Sequence, residues 1–352
     1  MKLSLASLGE EPSSRFVDQT RLAELLGFNA FFHSDEKWTR DPYIRLAAAA
    51  SATSTLGLGI SVTDPYTRHP ALTAQASATL AELAPDRLTI VMGAGSHFET
   101  LPGYGNPKPT VGLREGIELM RRLWAGERVT LDGEIVKFVA GKLDFDPEAT
   151  PRVDIASRGP RILALAGEIA DGALIGSFAT PSGIEYAKRH VAVGLEQAGR
   201  TWEGFDLKSW LYVSILDSED EQPPDNMRRG VSHALWSSRK VLFKMVDELA
   251  EDITDEFRHF IANAPHEWSP EVMTELRRLI PRGLFDSLAV VGTAEQIVAK
   301  LKALEACGVG EAVMWPFPRE GEHVEDLMLR LAEQVLPAVQ GPVARDSYRL
   351  VD

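Results

Sequence analysis

Only one cysteine, Cys307, occurs in the 352 residues. A lone thiol excludes an intramolecular disulfide and any metal centre built on several cysteines. Its place near the end of a helical pattern predicts a packing role. No apolar run reaches about 18 residues, so no membrane-spanning helix is expected. Met1 to Gly9 is too short, and too soon followed by charge, to read as a signal peptide. A soluble, cytoplasmic chain is the expectation. Positive charge is also scarce: 37 Lys and Arg stand against 51 Asp and Glu, a formal charge of −14. That balance argues against nucleic acid or anionic membrane as a partner, because a phosphate backbone needs a basic surface. A small anionic ligand is still compatible with a local pocket. Several motifs are missing as well. There is no His-Glu-x-x-His, no paired-His spacing, no Gly-x-Ser-x-Gly elbow and no P-loop. Gly93-Ala94-Gly95 lacks the third glycine of the dinucleotide fingerprint, since position 98 is Phe.

What is present is alternation. Hydrophobic residues make up 44%, with 28 Gly and 21 Pro, enough for a large core cut by many turns. Eight short, mostly continuous apolar runs read as strands buried on both faces: Leu3–Ser7, Asn29–His33, Leu58–Val62, Leu88–Met92, Val153–Ala156, Gly172–Ile175, Leu207–Ile215 and Ala312–Trp315. A helical pattern follows each. Gly27 ends the first helix; Asp41-Pro42 opens the second; Leu113, Ile117, Met120 and Leu123 stripe the fourth. Strict βα alternation predicts a parallel sheet, and eight units favour a closed (β/α)8 TIM barrel, class α/β, over an open doubly wound sheet. The whole chain, 1–352, reads as one domain with two interruptions. Residues 128–145 read as a hairpin turning at Asp132-Gly133. Residues 217–286 form a mainly helical insertion before the seventh barrel helix, a lid, a pocket wall or a plain structural addition.

Reacting groups in such a barrel come from the C-terminal ends of strands. After the second strand, His33-Ser34-Asp35-Glu36-Lys37-Trp38 offers Asp35 or Glu36 as proton donor or acceptor and Trp38 as a wall for a flat ring; the plain alternative is a solvated turn. After the third, Arg68 and His69 either meet an anion or anchor their own loop. After the fourth, Gly93, Ala94 and Gly95 let backbone approach a ligand closely, and His97 is either catalytic or structural. After the fifth, Ser157-Arg158-Gly159-Pro160 meets a helix N-terminus, a ready anion site or an ordinary capped turn. Gly176-Ser177 lies beside it after the sixth.

These segments resemble a known family. The run Gly59–Ala71, with Gly93-Ala94-Gly95-Ser96, Ala156–Arg161, Leu165–Gly172 and Val291–Glu295 in the same order, is similar to the luciferase-like flavin/F420-dependent oxidoreductase superfamily. Within it, the branch of the methylenetetrahydromethanopterin reductases and the F420-dependent glucose-6-phosphate dehydrogenases matches best. The match covers most of Met1–Leu216 and Ser287–Pro337, and the helical insertion matches poorly. The resemblance implies a homodimeric hydride-transfer enzyme holding coenzyme F420, with FMN as the alternative, at the barrel mouth. It sets the ring against Ser61, Val62 and Thr63, with a non-prolyl cis peptide between Ser61 and Val62 in a bulge. It sets the phosphate at Ser157, Arg158, Gly159 and Pro160, beside Gly176 and Ser177. Asp35 and Glu36 fall where the dehydrogenase has its acid and its base; the base there is His, so Glu36 is a departure. The reductases' acids correspond to Ala6 and to Ser96-His97, so the resemblance carries the cofactor rather than pterin reduction. An FMN-dependent monooxygenase or reductase and a flavin-binding protein without turnover stand as alternatives. A barrel aldolase is disfavoured because no Lys sits clearly at a strand end.

Overall fold

The computed structural model describes residues 1–36, 38–95, 101, 108–242, 252–264 and 269–341. Eight parallel strands close on themselves in the order β1 (Lys2–Ser7), β2 (Ala30–His33), β3 (Gly57–Thr63), β4 (Leu88–Met92), β7 (Arg152–Ser157), β8 (Gly172–Gly176), β9 (Asp206–Ile215) and β11 (Glu311–Pro316). The β8–β9 and β11–β1 pairings complete the circle. The order places β3 opposite β9 and β2 opposite β8. All eight expected strands are present.

A ninth parallel strand was not expected. Here β10 (Ala289–Gly292) pairs with Tyr212–Ile215, while β8 takes Asp206–Trp210 of the same strand. At ten residues β9 overruns β8 and so leaves backbone for a second partner. The hairpin also differs from expectation. Its strands are β5 (Val129–Asp132) and β6 (Lys137–Gly141), so Gly133–Val136 lies outside the ladder. The cause lies on helix α4 (Pro109–Trp124): the Glu115 carboxylate accepts the amides of Glu134, Ile135 and Val136 at 2.8–2.9 Å, taking donors a tighter turn would have used.

Helices wrap the barrel: α1 (Ser13–Leu26), α2 (Pro42–Ala52), α3 (Pro70–Leu83), α4, α5 (Pro160–Ile169) and α6 (Pro181–Gln197) in the first part. Local chemistry sets their ends. Gly27 closes α1 at φ 85°, a left-handed conformation that glycine adopts without a Cβ penalty. Asp41 caps α2 through Tyr43 N and Ile44 N, with Pro42 at the first turn. Among the described residues the insertion region carries α7 (Asp225–Leu242), α8 (Asp255–Asn263), α9 (Pro270–Leu279) and α10 (Arg282–Leu288). Ser269 caps α9 as its sequence predicts. Then α11 (Ala294–Ala306), α12 (Val324–Gln334) and α13 (Leu336–Gln340) finish the described chain. Cys307 caps α11 and packs half-buried on the core.

The lumen is filled in layers. Lowest is a polar floor: Lys208 reaches Asp154 at 2.7 Å and Glu311 at 3.9 Å, and Ser4 donates to Glu311. Above it lies an apolar cluster of Ala6, Ala30, Phe32, Val91, Leu174 and Val313. Phe32 fills the centre because Gly59 leaves room; a Cβ at Gly59 would stand 2.0 Å from its ring. Half-buried Val62, Ala156, Trp210 and Trp315 pack on top. With these four, every barrel strand contributes to the lumen, and the mouth begins where they meet solvent.

Candidate active site

The mouth lies at the C-terminal ends of the strands. On β3 the register with β4 slips between Ser61 and Thr63, which leaves Val62 bulged and half-buried against the lumen. The Ser61–Val62 peptide is cis, as the family resemblance requires. Ser34 Oγ donates to Ser61 O at 2.8 Å, and Gly93 N–H donates to Thr63 O at 2.8 Å. Gly93 lies directly against the Val62 side chain; a Cβ there would come within 3.3 Å of it. Gly93 therefore runs beside the bulge, with Ala94 and Gly95 next in the chain. His97 and Ser96 lie outside the described residues.

Asp35 and Glu36 sit half-buried just beyond β2. Asp35 accepts from Thr63 Oγ1 at 2.7 Å and stands 3.8 Å from the Arg68 guanidinium. The Thr63 hydroxyl is thus engaged by Asp35. Glu36 O accepts from Thr39, turning the loop so that Trp38 is 68% exposed at the rim.

Arg68 and His69 are anchors. Arg68 binds Asp41 at 2.7 Å and lies over the Tyr43 ring; His69 caps α3 and bonds Lys137 O of the hairpin.

Across the barrel, Arg158 links the ends of β7 and β8. Its Nε donates to Gly176 O at 3.0 Å and its Nη2 to Ser177 Oγ at 3.2 Å. Glycine at 176 lets Arg158 lie close, since a Cβ there would stand 2.8 Å from Arg158 Nε and the side chain would have to shift. Burial draws the guanidinium below its ordinary range, and the neighbouring Tyr212 partly offsets this. Ser157 Oγ accepts from Gly159 N–H at 2.9 Å. Gly159 begins α5 with no side-chain cap, and the nearest atom to a Cβ built there is Ser157 Oγ, 3.6 Å away. The first turn of α5 therefore presents open backbone donors beside a guanidinium, a geometry that suits a phosphate.

Sequence reasoning passed over two features. One is a buried chain beneath the Asp35–Glu36 loop. His33 Nδ1 bonds Ser34 O at 2.7 Å, its Nε2 accepts from Arg45 at 2.9 Å, and Arg45 binds Glu11 at 2.5 Å. Burial, with Arg45 adding to it, holds His33 down at a pKa of about 4. The other is an aromatic wall on β9 and β11. Trp315 lies 4.5 Å from Phe317, 5.5 Å from Tyr212 and 6.4 Å from Trp210 between ring centroids. Aromatics at every second position, Trp210 with Tyr212 and Trp315 with Phe317, are the sequence signal for it. A cleft of about 660 Å³ at the opposite end, lined by Arg121, Arg200 and Asp171, lies away from all these groups. No group of metal-ligating side chains, and no helix long and apolar enough to cross a membrane, occurs among the described residues.

Fold and mouth together define a parallel (β/α)8 barrel with a bulge on its third strand and, after β7, a helix N-terminus beside Arg158. Residues 2–311 match the luciferase-like monooxygenase family, and the chain belongs to it. It is 31% identical over 297 residues to a 5,10-methylenetetrahydromethanopterin reductase of Archaeoglobus fulgidus, covering 83% of this chain and 86% of that one. It is 32% identical over 323 residues to an F420-dependent glucose-6-phosphate dehydrogenase of Beutenbergia cavernae, covering 81% and 93%. The fold superposes on the coenzyme F420-dependent tetrahydromethanopterin reductase of Methanopyrus kandleri with a TM-score of 0.79, at 22% identity over 96% of this chain and 99% of that one.

Proposed function

We propose that this chain is an F420-dependent oxidoreductase that transfers a hydride between the deazaflavin and a small organic substrate. The observation that carries the reading is the pairing of two walls in one mouth: the Val62 bulge on β3, and the donor turn of Ser157 to Pro160 with Arg158 across Gly176 and Ser177. The family relatives that name F420 support the choice of cofactor.

The residues fit such a group. Open amides and a guanidinium suit its phosphate, a flat apolar ring suits the half-buried face of Val62, and Gly93 lets its own backbone lie close against that side chain. When bound, the deazaflavin supplies a two-electron hydride acceptor or donor. The chain's own tasks are to fix the ring's position, to keep water from its face and to handle one proton. Ser61, Val62 and Thr63 form the ring's support, and Thr63 is tied to Asp35, so that this carboxylate orients the support. Glu36, half-buried beside it, takes the substrate's proton during oxidation or returns it during reduction. The His33–Arg45–Glu11 chain holds the loop bearing both acids from below.

Equilibrium dialysis against F420 and FMN in parallel tests the reading. Retention of F420 at about micromolar affinity or better is expected. Retention of FMN alone moves the chain to a monooxygenase or flavin reductase on the same barrel, and retention of neither removes the reading.

A further inference from the structure

We propose that Trp210 and Trp315 determine specificity: they form the substrate-facing wall of the mouth and select an uncharged, apolar organic molecule over a phosphorylated one. The inference rests on the deazaflavin reading, which gives the opposite wall to the cofactor.

In the closed order of eight strands β9 lies across from β3, so Trp210 faces the Val62 bulge, and Trp315 stands on the adjoining strand β11. Both indoles pack on the lumen cluster and are only half-buried. An indole can bury about 150–250 Å²; two that stop half-way leave apolar surface for a ligand to cover. The rings are tilted by 45–58° to one another, which makes a faceted wall and not a slot for one flat ring.

The wall is also fixed in place. Buried Tyr212 and Phe317 back Trp315, and α7 of the insertion comes down onto both through Gly230, where a Cβ would stand 3.0 Å from Phe317 and 3.1 Å from Tyr212. The insertion is thus the rear support of this wall. Arg158 stands beside Tyr212 but is given to the cofactor phosphate, and the remaining charge on this side does not invite an anion. On the loop after β11, Arg319 is bound to Asp217 and lies 3.7 Å from both Glu221 and Glu322; Arg330 is held by Asp217 and Glu322. Two guanidinium groups among three carboxylates leave a net negative balance there.

The test uses the full-length protein loaded with F420. Tryptophan fluorescence follows the binding of cyclopentanone, cyclohexanone, cycloheptanone and cyclooctanone, and separately of glucose 6-phosphate. Affinity should rise about fourfold for each added methylene until the wall is covered, with no saturable response to glucose 6-phosphate. Trp315→Ala should weaken the tightest ketone at least tenfold while F420 affinity, read by deazaflavin fluorescence, stays within twofold. The wild-type series stands whether or not that variant folds. A flat ketone series, or glucose 6-phosphate binding tighter than any ketone, overturns the inference and leaves the cofactor reading intact. Failure to load F420 overturns the cofactor reading and this inference with it.

Discussion

Glu36 and Asp35 are neighbours in sequence with unequal surroundings. Asp35 is tied to Thr63 and stands near Arg68, which fits an orienting carboxylate better than a proton carrier. Glu36→Gln keeps the shape and removes the titrating group. Turnover of any substrate the wild type accepts should fall about 10²–10⁴-fold with F420 still bound; near-normal turnover would move the proton to Asp35 or His97. Arg158 has a different task. Arg158→Ala removes a charged donor from the anion turn and should weaken F420 about 10- to 100-fold in a fluorescence titration. An unchanged affinity would detach the turn from the cofactor. His33 makes a third prediction. Its folded pKa of about 4 lies below the ordinary 6.5, so between those values the unfolded chain binds the extra proton. Stability is therefore full above about pH 6.5 and falls as pH drops toward 4, by about 2 kcal/mol between pH 7 and pH 5 from this group alone. Denaturant titrations at the two pH values check it: His33→Asn should show a smaller loss than the wild type. Equal losses would exclude His33 as the source.

Helices α5 and α6 meet more closely than side chains permit. A Cβ at Gly194 would stand 1.7 Å from Ala164 O, and one at Gly167 would stand 2.1 Å from Val191 O. This contact sets the direction of α5, whose first turn carries the donor turn. Gly194→Ala should cost about 3 kcal/mol in denaturant unfolding, at the upper end for overpacking, and should loosen F420 with it. Loss of stability with unchanged cofactor affinity would show that the anion turn does not depend on this packing. The sequence announced elements of this kind well where a local rule governs them. Asp41-Pro42, Ser269-Pro270 and Gly27 mark helix ends through capping and backbone chemistry that act over a few residues. It announced poorly what long-range partners decide. The hairpin loop is displaced because Glu115, on another element, takes its amides. Strand β10 exists because β9 outruns β8.

At the scale of the molecule, closure of eight strands is what turns scattered strand-end residues into one site. Residues near 35, 62, 93, 158 and 177 each looked ambiguous alone; their order around the barrel brings the bulge and the anion turn to one mouth. The buried His33–Arg45–Glu11 chain was illegible for the same reason, since its members come from three separate segments. The aromatic wall was legible in principle from its period of two, but only closure shows what it faces. The central claim is that this mouth holds a deazaflavin with its ring on the Val62 bulge and its phosphate at the turn of Ser157 to Pro160. A crystal structure of the protein with F420 tests it most directly. The account predicts ring density against Val62, on the side facing Trp210, and phosphate density within hydrogen-bonding distance of the first α5 amides and Arg158. F420 density elsewhere, or a mouth that stays empty at saturating F420, would contradict it.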